Sequence, residues 1–273
     1  MSDVYGFDAF SPQQIAERVQ NVGVAKARLP LLSMVMLGML AGAFIGLGAL
    51  YYTLVVSDAG LSFAAGRVLG AVCFSLGLLL VVVAGAELFT GNNLLAMAWA
   101  DGKVSTLEVL RNWTVVCIAN FIGAAGLAVL VFLSGHAGLN GGAVGRAYLA
   151  IAAAKSTLPL TELFFRGVLC NVLVCMAVWM ALAGRSVVDK FIAIVLPVSA
   201  FVAAGFEHSI ANMYFFPLAL LLKTAGAAGG EAVTVYAMFR NLVPVIAGNI
   251  VGGSVLVALV YHVIYRRPAK PGP

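Results

Sequence analysis

The chain has 273 residues, of which 62% are hydrophobic and only 10% charged, and its net charge is +5. A soluble domain carries about 25% charged residues, so this chain lacks the polar side chains to cover a water-facing surface and is read as an all-α integral membrane protein. The positive balance is not a nucleic-acid signal, because the basic residues collect at the ends of apolar runs, and Cys73, Cys117, Cys170 and Cys175 lie inside such runs without Cys-x-x-Cys spacing, so neither a disulfide, a metal site nor a cofactor is expected.

Residues 1–28 are polar, with Asp3, Asp8, Glu17, Lys26 and Arg28, and do not read as a cleavable signal peptide. Ser11-Pro12-Gln13-Gln14 is a helix start: serine caps, proline takes the first helical position, and the second glutamine completes a capping box. Ile15, Ala16, Val19, Val22 and Val24 then form one apolar side of a short amphipathic helix expected to lie on the membrane at the cytoplasmic side. The first span covers about residues 29–56, where Gly38, Gly42 and Gly46 recur at four-residue spacing and permit close helix packing.

The next apolar stretch, about 67–99, is too long for one straight span: a helix of that length reaches ~50 Å against a hydrocarbon core of ~30 Å. Its middle, Gly85-Ala-Glu87-Leu-Phe-Thr90-Gly-Asn92, suits a loop between two half-helices, which membrane depth tolerates only where protein buries it or a cavity is lined. A third span covers about 109–133, a glycine-rich polar linker 134–145, and a fourth span 163–183, preceded by Lys155 and Glu162. The fifth, about 190–222, is again too long and is broken at Gly205-Phe-Glu207-His208-Ser-Ile-Ala-Asn212; the sixth covers about 233–265, its membrane part starting near Leu242, before Arg266 and Arg267. With six spans both termini share a side, and that side collects Arg18, Lys26, Arg28, Lys103, Arg111, Arg185, Lys190, Arg266, Arg267 and Lys270, which places both ends in the cytoplasm.

The two broken stretches match. Gly85-x-Glu87-x-x-x-x-Asn92 has the spacing and identities of Gly205-x-Glu207-x-x-x-x-Asn212, and Arg111-Asn112 followed by Asn120-x-x-Gly123 parallels Arg240-Asn241 followed by Asn249-x-x-Gly252. An odd number of spans per copy inverts one copy against the other. The expected architecture is therefore six transmembrane helices as two inverted three-helix repeats, about 29–133 and 163–266, with the second and fifth helices broken and a cytoplasmic tail at 267–273. Inverted repeats with broken helices place a substrate site near the midplane, where the half-helix ends meet. Glu87 and Glu207 are read as accepting hydrogen bonds from their own loops' amides. Thr90 and His208 are where the copies differ, and offer a hydroxyl and a titratable imidazole able to pass a proton. Asn171 and Asn249 lie within apolar helices, where an unpaired amide is costly, so they bond to the loops or face the pore. Phe74, Leu78, Leu88 and Phe201 flank the loops and are core candidates or hydrophobic constrictions.

GAELFTGN at 85–92, FFRGVLCNVLVCMAVWMAL at 164–182, GFEHSIANM at 205–213 and NLVPVIAGNIVGG at 241–253 resemble the formate/nitrite transporter family, across nearly all the membrane-embedded chain. The resemblance implies an aquaporin-like fold, a homo-pentamer with a pore in each protomer, and a bacterial or archaeal inner membrane. It implies that His208 is the central pore histidine, Thr90 the loop threonine and Lys155 the outer-vestibule lysine that attracts anions. Asn171 and Asn249 match its pore asparagines, with Glu207 beside the pathway, and Phe74, Leu78, Leu88 and Phe201 match its two apolar constrictions. The first loop, ELFTGN, looks closer to the nitrite type, whereas the stretch through GFEHSIANM looks closer to the formate type. The implied function is passage of formate, nitrite or both, with a proton supplied at His208. Two readings from other classes stand beside it. One is a water or neutral-solute pore, disfavoured by the absence of an Asn-Pro-Ala pair at the loops. The other is an intramembrane enzyme, for which no nucleophile or HExxH pattern is present. A hydrosulfide channel of the same family is a further alternative.

Overall fold

The computed structural model describes residues 10–58 and 60–265; Asp3, Asp8, Arg266, Arg267, Lys270 and the tail 267–273 lie outside the described residues. Helix α1, Pro12–Ala27, starts as its sequence dictates: Ser11 Oγ accepts the N–H of Gln14, and Gln14 Oε1 accepts the N–H of Ser11. Ile15, Ala16, Val19 and Gly23 are buried against protein, packing beside Leu94, Leu95, Met97 and Ala98, while Val22 stays exposed. The apolar side that the sequence assigns to a lipid surface is thus largely spent on docking α1 to the helical body.

Helix α2 is Leu31–Val56, and α3, Phe63–Phe74, continues through α4, Leu76–Leu79, into a π-helical turn at Leu80–Gly85. The chain is extended at Ala86 and Leu88 and resumes as α5, Phe89–Asn92, and α6, Ala96–Ala100. Next come α7, Thr106–Leu133, then α8, Ala143–Thr157, and α9, Leu160–Ala181. Helix α8 was not expected, since the glycines at 138, 141, 142 and 145 mark a linker; the helix starts after Gly142, whose φ of 80° is a left-handed conformation that glycine adopts without strain. The remaining helices are α10, Val187–Ala203; α11, Ser209–Thr224; α12, Val235–Ile250; and α13, Val260–Tyr265, joined to α12 by a π-helical stretch, Val251–Leu259. Among the described residues five segments are long and apolar enough to cross a membrane: 31–56, 63–85, 106–133, 160–181 and 235–265. Helices α10 and α11, of 17 and 16 residues, each reach about 25 Å, short of a core of about 30 Å.

Two helix pairs form the frame. Helix α2 crosses α7 so closely that a methyl group at Gly42 would land on the Asn120 carbonyl, and one at Gly123 on the Met39 carbonyl. Helices α9 and α12 repeat the device, with Gly248 against the Phe164 carbonyl and Gly252 against the Val168 carbonyl. Small residues are what let backbones approach in lipid, where burial of apolar surface gives no net drive to association. Gly123→Val should therefore cost about 3 kcal/mol or more by overpacking a backbone contact, read as a lowered thermal midpoint in detergent. Gly126→Ala, three residues on and with open space around it, should leave the midpoint unchanged.

Candidate functional site

The two chain breaks have the same local geometry, and they share a glycine, a glutamate and an asparagine at the same spacing. Gly85 and Gly205 take positive φ, 89° and 74°, a region that costs an L side chain strain. Leu88 and His208 then occupy equivalent N-cap positions with near-identical backbones, φ/ψ of −103°/121° and −104°/113°. Each loop is held by an asparagine from a neighbouring long helix. Asn120 Oδ1 accepts the N–H of Phe89, and its Nδ2 donates to the carbonyls of Gly38 and Glu87. Asn249 Oδ1 accepts the N–H of Ser209, and its Nδ2 donates to the carbonyls of Gly167 and Glu207. Three bonds from one buried amide, each worth about 1 kcal/mol net, fix each loop to its frame. The N–H groups of Glu87 and Glu207 donate to the carbonyls of Leu37 and Arg166.

The glutamate carboxylates depart from the sequence reading. They do not gather loop amides; each is the centre of a buried lysine–asparagine cluster. Lys155 Nζ lies 2.8 Å from Glu207 Oε1, Asn212 Nδ2 donates to Glu207 Oε2 at 2.7 Å and to Asn241 Oδ1 at 2.7 Å, and Asn241 Nδ2 donates to the Lys155 carbonyl. In the other half Lys26 Nζ lies 2.7 Å from Glu87 Oε1, Asn92 Nδ2 donates to Glu87 Oε2 and Asn112 Oδ1, and Asn112 Nδ2 donates to the Lys26 carbonyl. Arg111 caps the carbonyls of Ala27 and Leu29 as Arg240 caps those of Ser156 and Leu158. The correspondence therefore runs back to Lys26-x-x-Leu29-Pro30 and Lys155-x-x-Leu158-Pro159. Lys26 is the residue that sequence reasoning missed, and that five-residue pattern is the signal that could have found it. A buried carboxylate is costly unless it is paired and hydrogen-bonded, and both halves supply the same pairing.

The symmetry ends at the centre. Thr90 Oγ1 and His208 Nε2 lie 3.0 Å apart, joining two residues 118 positions apart in sequence, and both are buried. His208 Nδ1 accepts the N–H of Ala211, capping α11 with its own ring. An acceptor nitrogen carries no proton, so in this arrangement the imidazole is neutral and its hydrogen sits on Nε2, aimed at the Thr90 hydroxyl. Thr90 in turn keeps its O–H to donate. Asn171 Nδ2 bonds the carbonyls of Thr90 and Asn249 and the Asn93 side chain, tying the two halves together behind this pair. Asn171 and Asn249 thus both bond the loops.

Two cavities are lined by the candidate residues. One, of about 470 Å³, is lined by Lys155, Glu207, Phe74, Phe201 and His208. The other, of about 450 Å³, is lined by Lys26, Glu87, Leu78 and Leu88. Phe201 stands edge-on to Phe74 at 5.9 Å and stacks on the His208 ring at 5.8 Å. All four apolar candidates are at most 3% exposed. The remaining histidines lie elsewhere: His136 beside Tyr148, and His262 with Nδ1 3.0 Å from Asp101 Oδ1. Among the described residues no group of three or more His, Cys, Asp and Glu could hold a metal ion.

Known proteins resemble the chain over most of its length. A family model described as formate/nitrite transporter matches residues 13–263. The formate channel FocA of Escherichia coli strain K12 is 38% identical over 274 residues, covering 96% of each chain. A solved pentameric formate channel with formate bound is similar with a TM-score of 0.80 and 38% identity, covering 86% of this chain and 97% of that one. The aquaglyceroporin of Plasmodium falciparum, at 14% identity and a TM-score of 0.53 over 85% of this chain and 99% of that one, shares the fold alone.

Proposed function

The chain belongs to the formate/nitrite transporter family, and on that premise we propose that each protomer conducts small monovalent weak-acid anions, formate first and nitrite as a second substrate. The observation that carries this reading is the buried Thr90–His208 hydrogen bond, with His208 on the wall of one cavity, Leu88 on the wall of the other, and apolar side chains flanking it. The membrane layout that goes with it has six crossings, α10 and α11 together making the fifth, with both termini in the cytoplasm of a bacterial or archaeal inner membrane. Helix α1 is the cytoplasmic element, and residues 29–266 are the transporter domain. Similarity to a pentameric formate channel supports five copies side by side, each with its own pathway.

The chemistry follows from the dielectric. A bare anion is costly between Phe74, Phe201, Leu78 and Leu88, and a neutral acid is not. In this reading the Thr90 hydroxyl donates a hydrogen bond to an entering carboxylate. Full proton transfer needs one more proton than the neutral ring holds: an imidazolium, protonated on Nδ1 at the expense of the Ala211 cap, passes its Nε2 proton to Thr90 as Thr90 passes its own to formate. The products are formic acid and neutral imidazole, and charge balances. Uptake should accordingly rise as pH falls, since each transfer consumes one proton.

The test is uptake of labelled formate by proteoliposomes across a pH series, with nitrite and hydrosulfide as competitors. Saturable formate uptake that nitrite competes with supports the reading. Osmotic water flow without anion uptake would replace it with a neutral-solute pore.

A further inference from the structure

Three basic side chains line the Lys155 cavity: Arg67, Lys155 and Arg166. Two are neutralised in place. Lys155 Nζ sits 2.8 Å from Glu207, and Arg166 Nη2 sits 2.7 Å from Glu162. Arg67 differs, because no described carboxylate lies within ion-pair distance of it. Its Nε and Nη2 donate to the Ala203 carbonyl at 3.2 and 3.0 Å, Nη2 also reaches the Val202 carbonyl at 3.5 Å, and Nη1 donates to the Tyr52 hydroxyl at 3.2 Å. All these acceptors are formally neutral. The two carbonyls close the C-terminal end of α10, whose dipole carries about half a negative charge; that end holds the guanidinium in position and cancels only part of its charge. Asp58, the cavity's other charge without an ion-pair partner, is exposed and bonded to the Gly60 N–H, where water and salt screen it.

Position matters as much as charge. The carbonyls that Arg67 grips belong to the residues following Phe201, and its Nη2 lies beside Gly205, at the break that leads to His208. We propose that Arg67 is the anion-docking group of this cavity, the fixed positive charge that collects a small carboxylate or oxyanion at the threshold of the Phe74–Phe201 constriction. Lys155 in this assignment balances buried Glu207, and its role as attractor passes to Arg67. The inner half has no counterpart: the break at Gly85 is reached by a π-helical turn, and no arginine among the described residues bonds the carbonyls of 82 or 83. The assignment rests on the anion-conduction reading.

The experiment measures formate uptake in proteoliposomes by unaltered protein, Arg67→Gln, Arg67→Lys and Ala150→Glu. Ala150 is exposed on the wall of the same cavity, so a glutamate there offsets the charge without touching the bonds of Arg67. At low salt Arg67→Gln should raise the apparent KM about three- to tenfold with maximal uptake near the unaltered value, as loss of an electrostatic funnel does. At about 0.5 M salt the difference should vanish by screening. Ala150→Glu should reproduce the KM rise, and Arg67→Lys, which keeps the charge and loses the fork, should restore it. A KM and salt dependence in Arg67→Gln equal to those of unaltered protein overturns the assignment. So does Arg67→Lys failing like Arg67→Gln with maximal uptake lost and KM unchanged, which marks a structural latch. If Arg67→Gln does not assemble, an unchanged KM in Ala150→Glu overturns it instead. Absence of saturable formate uptake by the unaltered protein is a separate result, and contradicts the conduction reading itself.

Discussion

His208→Phe should lower formate uptake at least about a hundredfold, the size of a lost general-acid contribution, while His208→Asn should separate that chemistry from the fold. The imidazole does two jobs at once. Its Nδ1 caps α11 through the Ala211 N–H, and its Nε2 meets Thr90 Oγ1 at 3.0 Å. Phenylalanine fits beside Phe201 but does neither, so it also forfeits about 1 kcal/mol of N-cap stabilisation. Asparagine is among the best N-caps; it keeps α11 closed and lacks a titratable ring. Under a proton relay the Asn variant assembles normally, with low uptake and no rise as pH falls. Should His208→Asn conduct formate with the pH profile of unaltered protein, the imidazole only shapes the electrostatics and a bare anion passes.

The second large effect is expected from breaking the Lys155–Glu207 pair, and it should be lopsided. Glu207 is 4% exposed and Lys155 16%. Lys155→Met strands a buried carboxylate, at a cost of about 3–5 kcal/mol, and should sharply lower the thermal midpoint. Glu207→Gln leaves an ammonium that can turn toward water in the cavity, so the loss should be smaller. Lys155→Met combined with Glu207→Gln should recover most of the midpoint, because the uncompensated charge is gone. The Lys26–Glu87 pair, 26% and 7% exposed, should show the same order with smaller losses. If Lys155→Met and Glu207→Gln cost equally and the double substitution recovers nothing, the pair is not the coupled unit that its geometry describes.

Five spans were legible because hydropathy and length are nearly sufficient in lipid, and the repeated motif because Glu87, Asn92, Arg111 and Asn120 recur with fixed spacing at Glu207, Asn212, Arg240 and Asn249. From that repeat, the meeting of Thr90 and His208 was readable despite their separation in sequence. What stayed hidden depended on side chains arriving from outside the loops. Glu87 and Glu207 find their partners in Lys26 and Lys155, 61 and 52 residues away and before the spans begin, so a reading confined to each loop assigned those carboxylates to amides. Helix α8 was concealed by the glycines that precede it. The docking of α1 was concealed because one apolar stripe looks the same whether lipid or protein covers it. Arg67 is one of several basic residues near a span end in the sequence; its separation from the described carboxylates exists only in three dimensions.

The most direct measurement is a density map of the protein reconstituted in lipid with formate. The expected map shows rods interrupted at 86–88 and 204–208 in opposite halves, with the ring of His208 turned inward against Thr90 and anion density in the pathway beside them. Continuous rods through either interruption, or the His208 ring facing acyl chains, would contradict the proposed pathway.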